Sequence, residues 1–154
     1  MERTQSSDYA LFLLRTAGLL LAFAHGWTKF YALVTGQADW LVSTVSGLGF
    51  PLPVMFAWAI GLTEFVGGIC VAVGLYTRLS ASLAAVAMFT AAFIRHRALM
   101  HFGAWLGVAS PTAAEIESSG NPERALLFLT IMATLVILGP GRLSVDGRLS
   151  RRRR

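Results

Sequence analysis

Residues 54–75 read VMFAWAIGLTEFVGGICVAVGL, an apolar stretch in which Glu64 is the only charged side chain. At a rise of about 1.5 Å per residue, these 22 residues are long enough to cross a hydrocarbon core about 30 Å thick. The stretch therefore predicts a transmembrane helix with a carboxyl group near its middle. A charged side chain at that depth costs about 2.5–3.5 kcal/mol of insertion free energy. Glu64 therefore needs an ion-pair partner, a route to an interface or a chemical role.

Three further apolar stretches, at residues 10–30, 79–94 and 123–139, predict additional spans. Of the 154 residues 55% are hydrophobic and 14% are charged, and the mean hydropathy is +0.62, which is too apolar for a water-soluble domain. Only residues 76–78 separate the second and third spans, which predicts a tight helical hairpin. The sequence thus predicts an all-α membrane protein, a single domain over residues 1–154 built as an antiparallel four-transmembrane-helix bundle.

Local signals mark the ends of the fourth span and a shorter helix before the second span. Asn121 can cap the fourth helix, and Pro122 suits its first position. Residues 139–141, Gly-Pro-Gly, oppose its continuation. Residues 39–45, with Trp40 at headgroup depth, predict a short interfacial helix in the first outer loop.

The distribution of Lys and Arg predicts the orientation in the membrane. Counted by side, one face carries eight of these residues and the other at most four, which places both termini in the cytoplasm. The basic tail at 142–154 is most simply a topology anchor that also contacts the membrane lipid. Because much of the net charge of +5 lies in this tail, a nucleic-acid-binding face is a poor explanation for the basic character of the chain. Although Ala22-Phe23-Ala24 resembles a signal-peptidase site, Arg15 within the apolar run favours an uncleaved first span.

Polar and small residues form one stripe on each of the first two predicted spans. On a helix, Arg15, His25 and Lys29 fall within a sector of about 80°, which should face protein and not lipid. The second stripe carries Glu64 together with the glycines Gly61, Gly67 and Gly68, which would let another backbone approach closely. We expect the two stripes to be in contact, with Glu64 between Arg15 and His25 in depth.

This arrangement leaves three explanations open. In the first, an Arg15–Glu64 salt bridge locks the two helices, His25 is a neutral hydrogen-bond partner and Lys29 extends to the outer interface. In the second, Glu64 and His25 exchange protons with a lipid-soluble redox carrier or conduct them. In the third, the site binds a ligand without proton chemistry.

Metal and haem sites are the weaker alternatives. His25 and His96 are both expected near the outer ends of their spans and could approach each other, as in haem-binding bundles. His96 and His101 lack the one-face spacing of a zinc-binding helix, so no metal site is predicted. Cys70 is the only cysteine, which excludes an internal disulfide and a CxxC redox pair. The loop at 95–122 that carries these histidines is long enough to be functional.

The order of these motifs resembles the DoxX family of small bacterial and archaeal membrane proteins over about residues 11–146. The motifs are Arg15 to Gly18, His25-Gly26-Trp27-x-Lys29, Pro51-x-Pro53, Glu64-x-x-Gly67-Gly68, Gly74-Leu75-x-Thr77-Arg78 and Gly139-Pro140-Gly141-x-x-Ser144-x-Asp146. The resemblance implies a four-helix fold in the plasma (inner) membrane. It also implies an association with sulfur, quinol or oxidative-stress redox chemistry. The loop at 95–122 and the arginine tail depart from the family pattern.

Together these features lead to the hypothesis of a quinone-linked oxidoreductase subunit with a site between the first two spans. Glu64 and His25 are the candidate proton acceptors or donors, and Arg15 is expected to stabilise developing negative charge. The candidate quinone-binding residues are Lys29, Trp27, Gly67 and Gly68. No covalently bound cofactor is implied. Electrons would come from a peripheral or soluble redox partner, because the sequence has neither a cysteine pair nor a dinucleotide fingerprint.

The competing hypothesis is a non-catalytic membrane scaffold or small carrier. In that case the same charges form a structural clamp, and the glycine faces serve helix packing or partner docking. The sequence leaves open whether the chain is part of an enzyme, which proteins it contacts and whether it forms oligomers.

Overall fold

The computed structural model describes residues 5–152, and this part of the chain contains eight helices and no strand. In chain order they are α1 (Gln5–Val34), α2 (Asp39–Gly47), α3 (Pro53–Val73), α4 (Thr77–Arg95), α5 (Ala98–Trp105), α6 (Ala113–Ser119), α7 (Glu123–Leu138) and α8 (Val145–Arg152). Arg3, Arg153 and Arg154, which contribute to the charge count, lie outside the described residues.

Three of these helices, α1, α3 and α4, are each long and apolar enough to cross a membrane. Helices α6 and α7 pass the same test together, with a bend of 45° between them. The fold therefore has three spans, or four if the bent pair is one span, and the predicted all-α membrane architecture is confirmed. The Glu123 N–H donates to Asn121 Oδ1 at 2.8 Å, and α7 stops before Gly139, whose φ is +77°. Both features agree with the predicted ends of the fourth span.

The observed spans differ from the predicted ones mainly at their ends. Helix α1 extends beyond 10–30 in both directions, and α4 begins at Thr77, two residues before the predicted start. The earlier start of α4 has a physical cause in the tail, because the Asp146 carboxylate accepts hydrogen bonds from the first amides of this helix. A distant residue thus supplies the cap that the local sequence lacks.

Glycines set the register between the antiparallel helices α1 and α3. A Cβ on Gly18 would lie 2.4 Å from the carbonyl oxygen of Gly68, and a Cβ on Gly26 would lie 2.4 Å from the backbone nitrogen of Phe65. Only glycine lets two helix backbones approach this closely. These contacts place Gly26 level with Glu64 and Phe65.

The second main helix pair is α4 with α7, which pack closely against each other. Small residues on α4 let the larger side chains of α7 pack against it, and the buried residues include Ala81, Ala84, Met88, Met132 and Leu135. Many large apolar side chains are instead exposed on the outside of the bundle, among them Leu20, Val86 and Ile137. A soluble protein does not present such a surface, whereas lipid tails would cover it.

Both termini meet the α3–α4 turn at one end of the bundle, which we call the termini end. The Arg142 N–H donates to Asp8 Oδ1 at 2.8 Å, which joins α1 to the segment after α7. The amides of Tyr76 and Thr77 donate to the two oxygens of Asp146 at 2.9 and 2.8 Å. The two termini therefore share one side, and the assignment of that side to the cytoplasm stays a prediction from charge.

Three short helices lie at the opposite end. Helix α2 occupies the segment predicted to be a short helix and packs on α3 through Leu41 and Val45, while its position in the membrane interface stays a prediction. The segment predicted as a long loop at 95–122 contains α5 and α6. Helix α6 forms because Thr112 and Glu115 make a capping box, with the Glu115 amide donating to Thr112 Oγ1 at 3.3 Å.

Candidate functional site

Three spans contain a π-helical segment, a feature that is rare in helices and frequent at functional sites. The segments are Leu21–Gly26 in α1, Thr63–Gly67 in α3 and Thr90–Arg95 in α4. The first two pack against each other. They carry His25 and Glu64, and the third ends directly before His96. The hydrophobic periodicity of the spans does not predict these segments.

Glu64 forms an ion pair with Lys29, which lies one turn beyond His25 on α1. The Glu64 side chain is 4% exposed and that of Lys29 is 22% exposed. This is the only salt bridge within residues 5–152. The first of the three explanations paired Glu64 with Arg15 and extended Lys29 to the outer interface, and this pairing is wrong because Lys29 is the partner of Glu64.

Arg15 lies at the termini end and does not belong to the Glu64 cluster. Its guanidinium donates to the carbonyl oxygens of Ala72, at 3.3 Å, and Leu143. The helix register explains the separation, because Gly26 is level with Glu64 and Arg15 is eleven residues, or about 16 Å, further along α1. Arg15 therefore connects α1, the end of α3 and the segment before α8.

The Lys29–Glu64 pair lines a cavity of about 210 Å³ enclosed by α1, α3, α4 and α7, which we call the polar cavity. Its walls also include His25, Met88, Ala91, His96, Asn121, Arg124, Ala125 and Phe128. The sequence analysis predicted a site between the first two spans only. The glycine contacts between α1 and α3 leave no room there, so the open space lies on the side of α4 and α7.

Three of the predicted quinone-binding residues lie outside the polar cavity. Gly68 packs directly on the backbone of α1, and a Cβ on Gly67 would meet only atoms of its own helix, at 4.0 Å. Trp27 is 46% exposed and packs on Phe65 with ring centroids 5.3 Å apart. Of the four predicted binding residues, only Lys29 reaches the cavity.

His25 lies in the wall of the polar cavity with its ring edge-to-face against Phe128. The ring centroids are 5.6 Å apart and the planes meet at 84°. Within residues 5–152 the imidazole makes no hydrogen bond that fixes its tautomer. His25 can therefore present either a proton donor or a proton acceptor to a ligand.

His96 has a defined proton arrangement. Its Nδ1 lies 2.7 Å from the carbonyl oxygen of Ser119, and since a carbonyl only accepts, Nδ1 carries the hydrogen. In the neutral ring Nε2 is then a free acceptor. The same end of α6 accepts hydrogen bonds from Arg95, and His101 Nε2 lies 3.0 Å from Ser119 Oγ. Helix α6 thus orients the imidazole that lines the mouth of the polar cavity.

Arg124 adds a second positive charge to the cavity wall without an ion-pair partner inside residues 5–152. Two cations and one carboxylate give the cavity one net positive charge when both histidines are neutral. This wall was not predicted, although its residues share a pattern in the sequence. Asn121, Arg124, Ala125 and Phe128 follow the spacing i, i+3, i+4 and i+7, which places them on one face of a helix.

The metal and haem alternatives can be compared with the residues around the polar cavity. No group of three or more His, Cys, Asp or Glu residues between Gln5 and Arg152 is arranged to hold a metal ion. His25 and His96 do line the same cavity, as the haem alternative requires. However, the volume of about 210 Å³ is below the range of usual ligand pockets, which favours a smaller ligand than a porphyrin.

Comparison with known proteins agrees with the resemblance found in the sequence. The chain matches the DoxX family over residues 10–97, which include His25, Lys29, Glu64 and His96 and end before α7. It has no match among curated proteins or solved structures. The match covers more than half of the 154 residues. With its helical membrane fold, this chain belongs to the DoxX family.

Proposed function

We propose that this protein is a subunit of a quinone-linked membrane oxidoreductase, in which the polar cavity binds a quinone head group and Glu64 and His25 exchange protons with it. The observation that carries the proposal is the cavity itself, which a buried carboxylate and two imidazoles line inside an apolar bundle. The family resemblance supports sulfur or oxidative-stress redox chemistry. The proposal also includes insertion in the plasma (inner) membrane with both termini in the cytoplasm.

The volume of the polar cavity limits what can bind. About 210 Å³ is smaller than the usual pocket for a drug-sized ligand. It accommodates one head-group ring, so an isoprenoid tail must lie outside the cavity. Phe128, Met88 and Ala91 provide apolar surface for a ring, while Asn121 provides an amide for a carbonyl oxygen.

A quinol releases two protons and two electrons when it is oxidised to a quinone. The Glu64 carboxylate can accept one proton, and Lys29 stabilises that carboxylate before the transfer. His25 can accept the other proton. Lys29 and Arg124 provide the positive charge that the sequence analysis assigned to Arg15.

In quinol oxidation the electrons pass to a peripheral or soluble redox partner, and in the reverse direction, quinone reduction, the same partner supplies them, as the sequence led us to expect. Cys70 is the only cysteine in the sequence, and the chain has no glycine-rich dinucleotide fingerprint. The protein is therefore better suited to bind the quinone and move protons than to hold a redox centre of its own. The partner would complete the enzyme.

The full-length protein, purified in mild detergent, tests the proposal directly. Quinone extracted from the preparation is measured first, and binding of ubiquinone-1 is then followed by tryptophan fluorescence. We expect Glu64→Gln and His25→Gln each to weaken binding or proton release by about tenfold, which corresponds to one lost charge-assisted hydrogen bond. Glu117→Gln, an exposed acid on α6 outside the cavity, is the matched control. Wild-type binding and proton release in both cavity variants contradict the proposal.

A structural clamp is the second candidate function. The observation in its favour is that the single ion pair of the described chain joins α1 to α3 within the membrane. In this case Glu64→Gln reduces accumulation of the protein, and no quinone binds to either form.

A further inference from the structure

A shallow groove of about 800 Å³ lies at the termini end, on the opposite side of the bundle from the mouth of the polar cavity. Its walls are the first turn of α4, the end of α7 and the segment that leads through α8. We call it the arginine groove, because Arg78, Arg142 and Arg151 line it. Nothing in the proposed redox function uses it.

Within residues 5–152 the three arginines of the groove have no ion-pair partner. The one nearby carboxylate in the groove wall, Asp146, already accepts hydrogen bonds from Tyr76 and from the amide and hydroxyl of Thr77. Arg78 donates to the carbonyl oxygen of Ile137 at 3.3 Å, and Arg151 donates to that of Arg142, also at 3.3 Å.

Most guanidinium donors of these arginines stay available for a ligand. Each guanidinium has five N–H donors, and within residues 5–152 Arg78 and Arg151 each use only one of them. The Arg142 guanidinium makes no hydrogen bond within the same range, since only its backbone groups are engaged. Three cations and one carboxylate leave the groove with two net positive charges.

The floor of the arginine groove is apolar where the spans end. Leu79, Leu138 and Pro140 lie in its wall, and the two leucines are 60% and 46% exposed. Leu79 belongs to the first turn of α4 and Leu138 is the last residue of α7, so both mark the boundary of the membrane-spanning region. A site with cations on one side and exposed apolar side chains on the other, at this depth, matches a lipid headgroup with its attached chain.

We infer that the arginine groove binds the phosphodiester headgroup of an anionic phospholipid. Arg78 and Arg142 contact the phosphate, because planar guanidinium groups bind phosphate oxygens in pairs of hydrogen bonds. The first segment of an acyl chain lies against Leu79 and Leu138. Charge complementarity selects anionic over zwitterionic lipid, since the groove has two net positive charges.

Native mass spectrometry of the full-length protein tests this inference. The protein is titrated with phosphatidylglycerol or phosphatidylcholine in detergent, and the affinity of the most tightly bound lipid is measured. The Arg78→Gln/Arg142→Gln protein should bind phosphatidylglycerol at least tenfold more weakly than wild type, with little change for phosphatidylcholine. Arg148→Gln removes one charge from the same tail but not from the groove wall, and its binding should match wild type.

Two further measurements separate lipid binding from its alternatives. Inorganic phosphate or glycerophosphoglycerol should not displace the lipid at millimolar concentration, and displacement would overturn the assignment to a lipid in favour of a soluble anion. Equal weakening by Arg148→Gln, or none by the groove variants, would overturn the site. Arg142→Gln alone breaks no side-chain hydrogen bond among residues 5–152, so the circular dichroism of this variant should equal that of wild type even if the double variant is unstable. Failure of this site leaves the quinone proposal unaffected, since the polar cavity lies elsewhere.

Discussion

Lys29 and Glu64 form an ion pair between α1 and α3, one turn from His25 and in the wall of the polar cavity. The pair neutralises the acid that interrupts the most apolar stretch of the sequence. Because Lys29 occupies the only carboxylate of the cavity, the other cation in its wall, Arg124, has no acidic partner within residues 5–152. The stability of the bundle and the chemistry of the cavity therefore depend on the same two side chains.

Removing one member of this pair should destabilise the protein. Lys29→Met leaves the nearly fully buried Glu64 carboxylate without its partner, and an uncompensated buried charge costs about 3 kcal/mol. We expect the free energy of unfolding, measured by denaturant titration in micelles, to fall by about this amount. The double variant Lys29→Met/Glu64→Gln should recover most of the loss, because no charge is then left unpaired. Equal stability of the single and double variants contradicts this account.

The close contact of α1 and α3 predicts different costs for neighbouring glycines. Gly68→Ala places a Cβ 2.7 Å from the Gly18 carbonyl oxygen, and backbone atoms cannot yield without separating the helices. Such overpacking typically costs about 1–3 kcal/mol. Gly67→Ala is the matched control, because the added methyl meets nothing closer than 4.0 Å. In thermal denaturation, Gly68→Ala should therefore melt at a clearly lower temperature than Gly67→Ala. Similar melting temperatures of the two variants would show that the register between α1 and α3 is wrong.

The tail carboxylate of Asp146 should contribute to the stability of α4. It accepts hydrogen bonds from the amides of Tyr76 and Thr77 and from the Thr77 hydroxyl, at 2.8–2.9 Å. Loss of a helix cap costs about 1–2 kcal/mol, so Asp146→Ala should lower the unfolding free energy by about that amount. Asp39→Ala, in the first turn of α2, serves as a control acid with no capping hydrogen bond in the described chain. If both variants lose the same stability, Asp146 is not the cap.

Helix α6 should become less stable in acid. Hydrogen bonds from the Thr112 amide and hydroxyl lower the pKa of Glu115 below its ordinary value of 4.5. A carboxyl group with a lowered folded-state pKa stabilises the fold above its unfolded pKa, and this contribution is lost as the pH falls through the folded value. Amide exchange in residues 113–119, corrected for intrinsic rates, should therefore increase below about pH 4.5. Thr112→Val should remove most of this pH dependence and Glu117→Gln should not.

Periodicity was sufficient to predict much of the fold but not the axial alignment of its helices. The apolar stretches gave the spans, Asn121 and residues 139–141 gave the ends of α7, and the stripe analysis placed His25 and Lys29 on the protein-facing side of α1. Helical periodicity assigns residues to faces without saying which residues of two helices are level. The alignment depends on specific backbone contacts such as Gly26 with Phe65, and an offset of a few turns changes the partner of Glu64 from Arg15 to Lys29.

Contacts between distant segments explain most of the remaining differences. The guanidinium of Arg15 is bound by Leu143, 128 positions away, and α4 is capped by Asp146, 69 positions from Thr77. Neither contact leaves a local pattern in the sequence. The wall of the polar cavity on α7 does have a local pattern, since its residues are spaced i, i+3, i+4 and i+7. Together with the polar stripes of the first two spans, this pattern would have predicted the wall.

Exchanging the two charges separates proton chemistry from a purely structural role. Lys29→Glu/Glu64→Lys keeps the ion pair and the net charge of the polar cavity but moves the carboxylate from α3 to α1. If the pair is only a clamp, the exchanged protein should accumulate and melt like wild type, and no form should bind ubiquinone-1. If Glu64 accepts a proton from a bound quinol, the exchanged protein should remain stable while quinone binding or proton release falls by about tenfold, since the acceptor is displaced from its position. Measuring melting temperature and ubiquinone-1 affinity on the same preparation distinguishes these outcomes. Full retention of quinone-dependent proton release in the exchanged protein would rule out a specific role for the α3 carboxylate.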